Sequence, residues 1–219
     1  MKSNSALVVC SGGLDSTVAL YSAKEMFDNV EVVTFNYGSH HNEMEYLHLK
    51  KTLCELDIGH TRIDLMFIHD YFKSSLLDGE IPKGNYNDEN MKSTVVPFRN
   101  GIMLSIATGL ADSKGIGHVI IGNHSGDHFI YPDCRPSFIK AMDNAATAGT
   151  NNSVRILSPF CNMNKAEIVA FGHKLGVNFK NTYSCYNGRV KHCGECGTCR
   201  ERKEAFELAG IKDTTEYEV

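Results

Sequence analysis

Two stretches carry residue types in patterns that could do chemistry. The first is Ser11-Gly12-Gly13-Leu14-Asp15-Ser16-Thr17. Its glycines let the backbone turn sharply and approach a ligand closely. Ser11, Ser16 and Thr17 add hydroxyl donors. If a helix follows, its free amides and dipole favour an anion. The stretch should hold a phosphate or pyrophosphate. It is not a Walker A loop, which needs G-x-x-x-x-G-K-[ST]. It is shorter and has no lysine, and a lysine reaching the β- and γ-phosphates is what suits γ-phosphoryl transfer. An ordinary strand-to-helix turn is the plainer reading, weakened by the flanking hydroxyls and the acid.

The second stretch is metal chemistry. Of eight cysteines, Cys185, Cys193, Cys196 and Cys199 crowd into fifteen residues, and the last three make two C-x2-C steps. Four thiolates form a closed tetrahedral zinc site. With no position left for a catalytic water, such a site serves folding. An iron–sulfur cluster uses the same ligands, but nothing else in the chain suggests a redox partner. His192 could substitute as a ligand, though four cysteines make it unnecessary.

The elements that position these groups follow from apolar patterning. Ala6-Leu7-Val8-Val9-Cys10 reads as a buried strand, and residues 17–27 as a helix. Residues 30–36 read as a second strand ending at Tyr37-Gly38-Ser39-His40-His41, beside the first loop. Asn42 caps a helix to residue 56. Residues 61–65 read as a strand and 67–77 as a helix. Residues 78–90 read as a polar loop, either a lid or a surface excursion. Val96-Pro97-Phe98-Arg99-Asn100 leads into a buried helix to residue 114, with Arg99 just before it as a forked donor for phosphate or carboxylate. Residues 118–121 form a strand. Residues 122–136 follow it, dense in polar groups able to read a small polar molecule. Residues 138–147 read as a helix and 154–157 as a strand. Asn164-Lys165-Ala166-Glu167 has the capping-box form. It places Lys165 in the first turn of a helix to residue 175, against the dipole, which suits contact with an anion. Residues 200–209 read as a helix closed by Gly210, with Glu201-Arg202-Lys203-Glu204 as its solvated face and a frayed tail beyond.

The expected fold is α/β and doubly wound, with a mainly parallel sheet and a small C-terminal four-cysteine zinc-binding module at 185–199, all in one domain over 1–219. A formal charge of −4 gives no strong field for nucleic acid. No apolar run is long enough to span a membrane, and no signal-type segment opens the chain, so a cytoplasmic protein is expected.

Several motifs occur together and in order: Ser-Gly-Gly-Leu-Asp-Ser, Tyr37-Gly38 with His41, Val96-Pro97-Phe98-Arg99-Asn100, Tyr131-Pro132-Asp133-Cys134-Arg135-Pro136, Asn164-Lys165-Ala166-Glu167-Ile168, and Ser184-Cys185-Tyr186-Asn187-Gly188 with the later cysteines. The loop alone resembles the PP-loop of ATP pyrophosphatases, which split ATP between the α- and β-phosphates. The whole set resembles the 7-cyano-7-deazaguanine synthase (QueC) family over nearly the full chain. The resemblance implies a ligase acting on 7-carboxy-7-deazaguanine, ammonia and ATP with magnesium, commonly as a homodimer. It implies that Ser11, Gly12, Gly13, Leu14, Asp15, Ser16, Thr17 and Tyr37 hold the nucleotide, and that Asp15, Arg99 and Lys165 serve catalysis. Residues 122–135 would hold the deazaguanine through Gly122, Tyr131, Asp127 or Asp133, with Arg135 near the carboxylate. The chain departs from the family pattern at Ser39-His40, His124 and His128. A product that stops at the amide, or joins the acid to another amine, is therefore the alternative, with another adenylating amidotransferase or a tRNA-modifying enzyme in the same class. A zinc-stabilised nucleic-acid-binding module is a third reading, disfavoured by the acidic balance.

Overall fold

A computed structural model describes residues 4–85 and 89–219. Five strands, β1 (Ser5–Val9), β2 (Asn29–Asn36), β3 (His60–Asp64), β4 (His118–Ile121) and β5 (Arg155–Leu157), form one parallel sheet in the order β3-β2-β1-β4-β5. β1 is central: Val8 pairs with Val32 on one side and Ile120 on the other. The chain winds outward from β1 through β2 to β3, then crosses back to β4 and β5. That reversal opens a crevice at the carboxyl ends of β1 and β4.

Each strand in the middle of the sheet is apolar because both its faces are covered. On one face Leu7, Val33, Phe35, Val119 and Ile121 pack against α3 (Phe67–Tyr71), α4 (Arg99–Ser113) and α5 (Pro136–Gly149). On the other, Ala6, Val8, Val32 and Ile120 pack against α1 (Leu14–Met26), α2 (Asn42–Leu56), α6 (Lys165–Lys174) and α7 (Gly197–Leu208).

Several local readings change. The helix expected at 67–77 stops at Tyr71, where Phe72 turns extended. Ser75 then bonds through its amide to Ser93 O at 2.8 Å, and the Ser74 hydroxyl donates to the same carbonyl. Serines so placed offer the backbone an alternative to the helix. Asn42 is the first residue of α2 rather than its cap; its Oδ1 accepts from the amides of Tyr37 and Ser39 and so fixes the turn before the helix. α1 begins at Leu14, and α4 at Arg99 itself. The capping box at Asn164 and Glu167 is present in both directions, at 2.9 and 2.8 Å.

The largest corrections lie at the C-terminal end. Only Glu204 of the charged run in α7 faces solvent. Arg202 is 1% exposed and donates to Thr182, Ser184, the Phe179 carbonyl and Asp213. Residues 213–219 are not frayed: Asp213 pairs with Arg202, and His192 exchanges backbone bonds with Glu216 and Glu218. Part of the 78–90 loop lies outside the described residues. Of the rest, Lys83 bridges to Cys196 and pairs with Glu195, tying the segment to the cysteine module.

Candidate active site

The loop between β1 and α1 is shaped by its neighbours. Gly12 has φ +101°, and a Cβ there would lie 2.2 Å from the Glu45 carbonyl oxygen, so α2 lies directly against the turn. The Ser11 hydroxyl accepts from Gly13 N at 3.1 Å and donates to Glu45 Oε1 at 3.0 Å. Ser16 Oγ accepts from Ser11 N and donates to Gly13 O. Gly13 caps α1 without a side-chain bond, which leaves the first-turn amides open to an anion.

A cleft of about 210 Å³ opens at the sheet's carboxyl edge against this loop. Ser11, Gly13, Leu14, Asp15 and Ser16 form its floor. Gly12 and Thr17 do not reach it: Gly12 faces α2, and Thr17 is fully buried. Tyr37 and Arg99 form one side, with the Arg99 guanidinium 3.2 Å from the Tyr37 hydroxyl and over its ring. Burial works against the charge of Arg99, but Tyr37 and Asp133 hold its pKa well above the ordinary value.

Lys165 lies on the opposite side. Its ammonium is 2.9 Å from Asp15 Oδ2 and 2.9 Å from Glu201 Oε2. Burial alone would lower its pKa, yet Asp15, Glu201 and Asp127 outweigh it and keep the lysine charged. His124 sits among the same carboxylates, 3.9 Å from Asp15, 3.5 Å from Asp127 and 3.8 Å from Glu201. Its Nδ1 accepts from Gly126 N, which puts the neutral ring's proton on Nε2, facing the acids.

Residues 122–135 divide. Gly122, Asn123, Asp127, Tyr131 and Cys134 line the cleft. A Cβ on Gly122 would come 2.9 Å from Asp15 O, so β4 approaches the loop as closely as glycine allows. Asp133 and Arg135 are elsewhere. Asp133 Oδ2 accepts from Asn100 N at 2.8 Å, at the positive end of α4. Arg135 is exposed and donates to His128 O.

Sequence reasoning missed Glu45, Glu201 and the wall formed by Tyr183, Ser184, Tyr186 and Thr198. For Glu45 a signal existed, since it stands four residues after His41 on one helix face. The wall residues flank the cysteines, so the metal module closes the cleft.

The four thiols of Cys185, Cys193, Cys196 and Cys199 are buried, with ligand atoms within 4.8 Å of one another. Cys193 Sγ is 3.9 Å from Cys199 Sγ. Four sulfurs about 2.3 Å from one ion stand about 3.8 Å apart, so the donor set fits a single metal ion. His192 is not part of it: its Nε2 accepts from Ser184 N at 2.9 Å.

A parallel sheet with a lysine-free phosphate loop at its switch point and a thiolate module beside it defines a PP-loop ATP-using enzyme. NMN synthetase from Francisella tularensis shares the fold, with a TM-score of 0.54 and 13% identity, covering 96% of this chain and 79% of that one. The family model described as queuosine biosynthesis protein QueC matches residues 5–210, and the chain belongs to that family. It is 50% identical over 215 residues to a 7-cyano-7-deazaguanine synthase of Porphyromonas gingivalis, covering 97% of both chains. It is 48% identical to a protein of the same name from Desulfotalea psychrophila, covering 97% of this chain and 98% of the relative. No helix among the described residues is long and apolar enough to cross a membrane.

Proposed function

We propose that this protein is an ATP-dependent ligase converting 7-carboxy-7-deazaguanine and ammonia to 7-cyano-7-deazaguanine. Near-complete coverage by relatives of that name carries the reading. In the reaction the acid's carboxylate attacks the α-phosphate of ATP, giving an acyl-adenylate and pyrophosphate. Ammonia displaces AMP to leave an amide. A second ATP activates the amide oxygen, and loss of AMP leaves the nitrile.

The chain's own groups suit these steps. The first-turn amides of α1, with Ser11 and Ser16, hold the departing pyrophosphate. Lys165 and Arg99 offset charge at the reacting phosphate. Gly122, Asp127 and Tyr131, on the cleft wall, read the deazaguanine; Asp133 and Arg135 are not retained in that role. Asp15 Oδ1 is buried without a hydrogen-bond partner, an acceptor suited to a hard cation. Magnesium bound there supplies charge neutralisation on the phosphates. Zinc is the ion we assign to the four-cysteine site, where it fixes the wall of the cleft. None of the eight cysteines is in a disulfide, in keeping with a cytoplasmic setting. Assembly as a homodimer is carried from the family resemblance.

Incubation with the acid, ATP and ammonium, followed by mass spectrometry, should show AMP and the nitrile. An amide that accumulates without nitrile, or ADP as the nucleotide product, would overturn the reading.

A further inference from the structure

Three acids line the cleft, and two are engaged. Asp15 pairs with Lys165. Asp127 accepts from the His124 amide at 3.2 Å. Glu45 differs: among the described residues no lysine or arginine pairs with it. Its Oε1 takes the Ser11 hydroxyl, and its Oε2 stands 3.9 Å from His41 Nε2. His41 is 4% exposed, its pKa lowered to about 3 by burial and by Arg99, so it is neutral. Its Nε2 is bonded to the hydroxyls of Tyr37 at 3.3 Å and Ser39 at 3.4 Å. The Glu45 carboxylate oxygens, facing the cleft with no cationic side chain on them among the described residues, are acceptors for a small cation with several N–H donors. Beside them is the loop where the acid is activated.

We infer that Glu45 receives ammonium from the cleft and takes its proton, delivering ammonia to the acyl-adenylate. The assignment rests on the ligase reading above. In the step, one N–H proton passes to the Glu45 carboxylate and the freed lone pair forms the C–N bond. The C–O bond to the adenylate breaks and its electrons leave with AMP. The second proton passes to solvent water, as does the first when Glu45 resets. His41, neutral and bonded to Tyr37, does not take the proton.

The surroundings suit a base. Burial raises the Glu45 carboxyl to about 7, against the Ser11 bond and Arg99, which lower it. A base poised near the working pH transfers protons best. The groups facing it are Cys10 and Ser11 at the end of β1, His41 on its own helix, Arg99 from α4 and Tyr183 from the metal module.

The test separates two half-reactions in Glu45→Gln and Glu45→Asp. Acid-dependent pyrophosphate release reports adenylation, and amide formation reports ammonia transfer. At fixed total ammonium, wild-type kcat/KM for ammonia should rise through about pH 7 and then level, because the carboxylate acts on ammonium. In Glu45→Gln it should fall by about a hundredfold and keep rising with pH, tracking free ammonia alone. Glu45→Asp should restore the plateau. Hydroxylamine, already neutral at neutral pH, should still yield hydroxamate with Glu45→Gln. A wild-type-like ammonia profile in Glu45→Gln, or equal losses with ammonia and hydroxylamine, would overturn the assignment while leaving the ligase standing. Wild-type protein that releases no pyrophosphate with the acid would overturn both.

Discussion

Glu201 accepts from Lys165 at 2.9 Å, and through that bond α7 is fastened to the phosphate loop. Cys199 lies two residues earlier, in the first turns of the same helix. Lys165 also holds Asp15, so the metal module, α6 and the loop meet at one ammonium. Removing one partner of a buried pair costs about 3–5 kcal/mol, because the remaining charge is left uncompensated. Lys165→Met should therefore destabilise by that order in urea unfolding, as well as stop AMP formation.

Asp15→Asn should behave differently. The amide still accepts from Lys165, so the unfolding midpoint should move little. AMP formation should be lost, because the unpartnered oxygen that suits a cation is changed in charge. Retained turnover, read as AMP by chromatography, would show that Asp15 is dispensable.

For the metal, Cys196→Ser should lower folded yield more than it lowers the specific activity of what folds. Elemental analysis should find about one zinc per chain in the wild type. A variant that folds in normal yield but is inactive would remove the metal from its scaffolding role.

Asp213 gives a pH signature. Burial pushes its carboxyl up, but Arg202 and the Tyr217 hydroxyl outweigh this and hold it below the ordinary value. Its contribution is fully present above about pH 4 and is lost as pH falls through the folded-state value. Wild-type stability should drop across that acid window, and Asp213→Asn should be weaker at neutral pH with a flatter profile there. Parallel curves for the two would refute the pairing.

What the sequence discloses depends on whether the cause is local. β1, β4 and the Asn164 capping box rest on neighbouring residues, and the structure has them within a residue or two. The helix beyond Tyr71 fails because Ser74 and Ser75 find Ser93, which is distant in sequence. Arg202 reads as a surface charge until Thr182 and Asp213 fold around it. At the cleft, the loop and Lys165 are legible from glycines, hydroxyls and a cap. Glu201 is not, and Glu45 only through its spacing from His41, since each matters through a partner on another element. Asp133 shows the converse: its motif places it among base-reading groups, but its carboxylate is taken by the start of α4.

The contact among Asp15, Lys165 and Glu201, residues far apart along the chain, sets an order on synthesis. While the ribosome still covers α7, the strands can pair and the loop after β1 can form, but Lys165 lacks the acid that braces it from behind. A nascent polypeptide, or one terminated before that helix, lacks both Glu201 and Cys199, so the brace behind Lys165 and the last thiol of the cluster arrive together when α7 emerges.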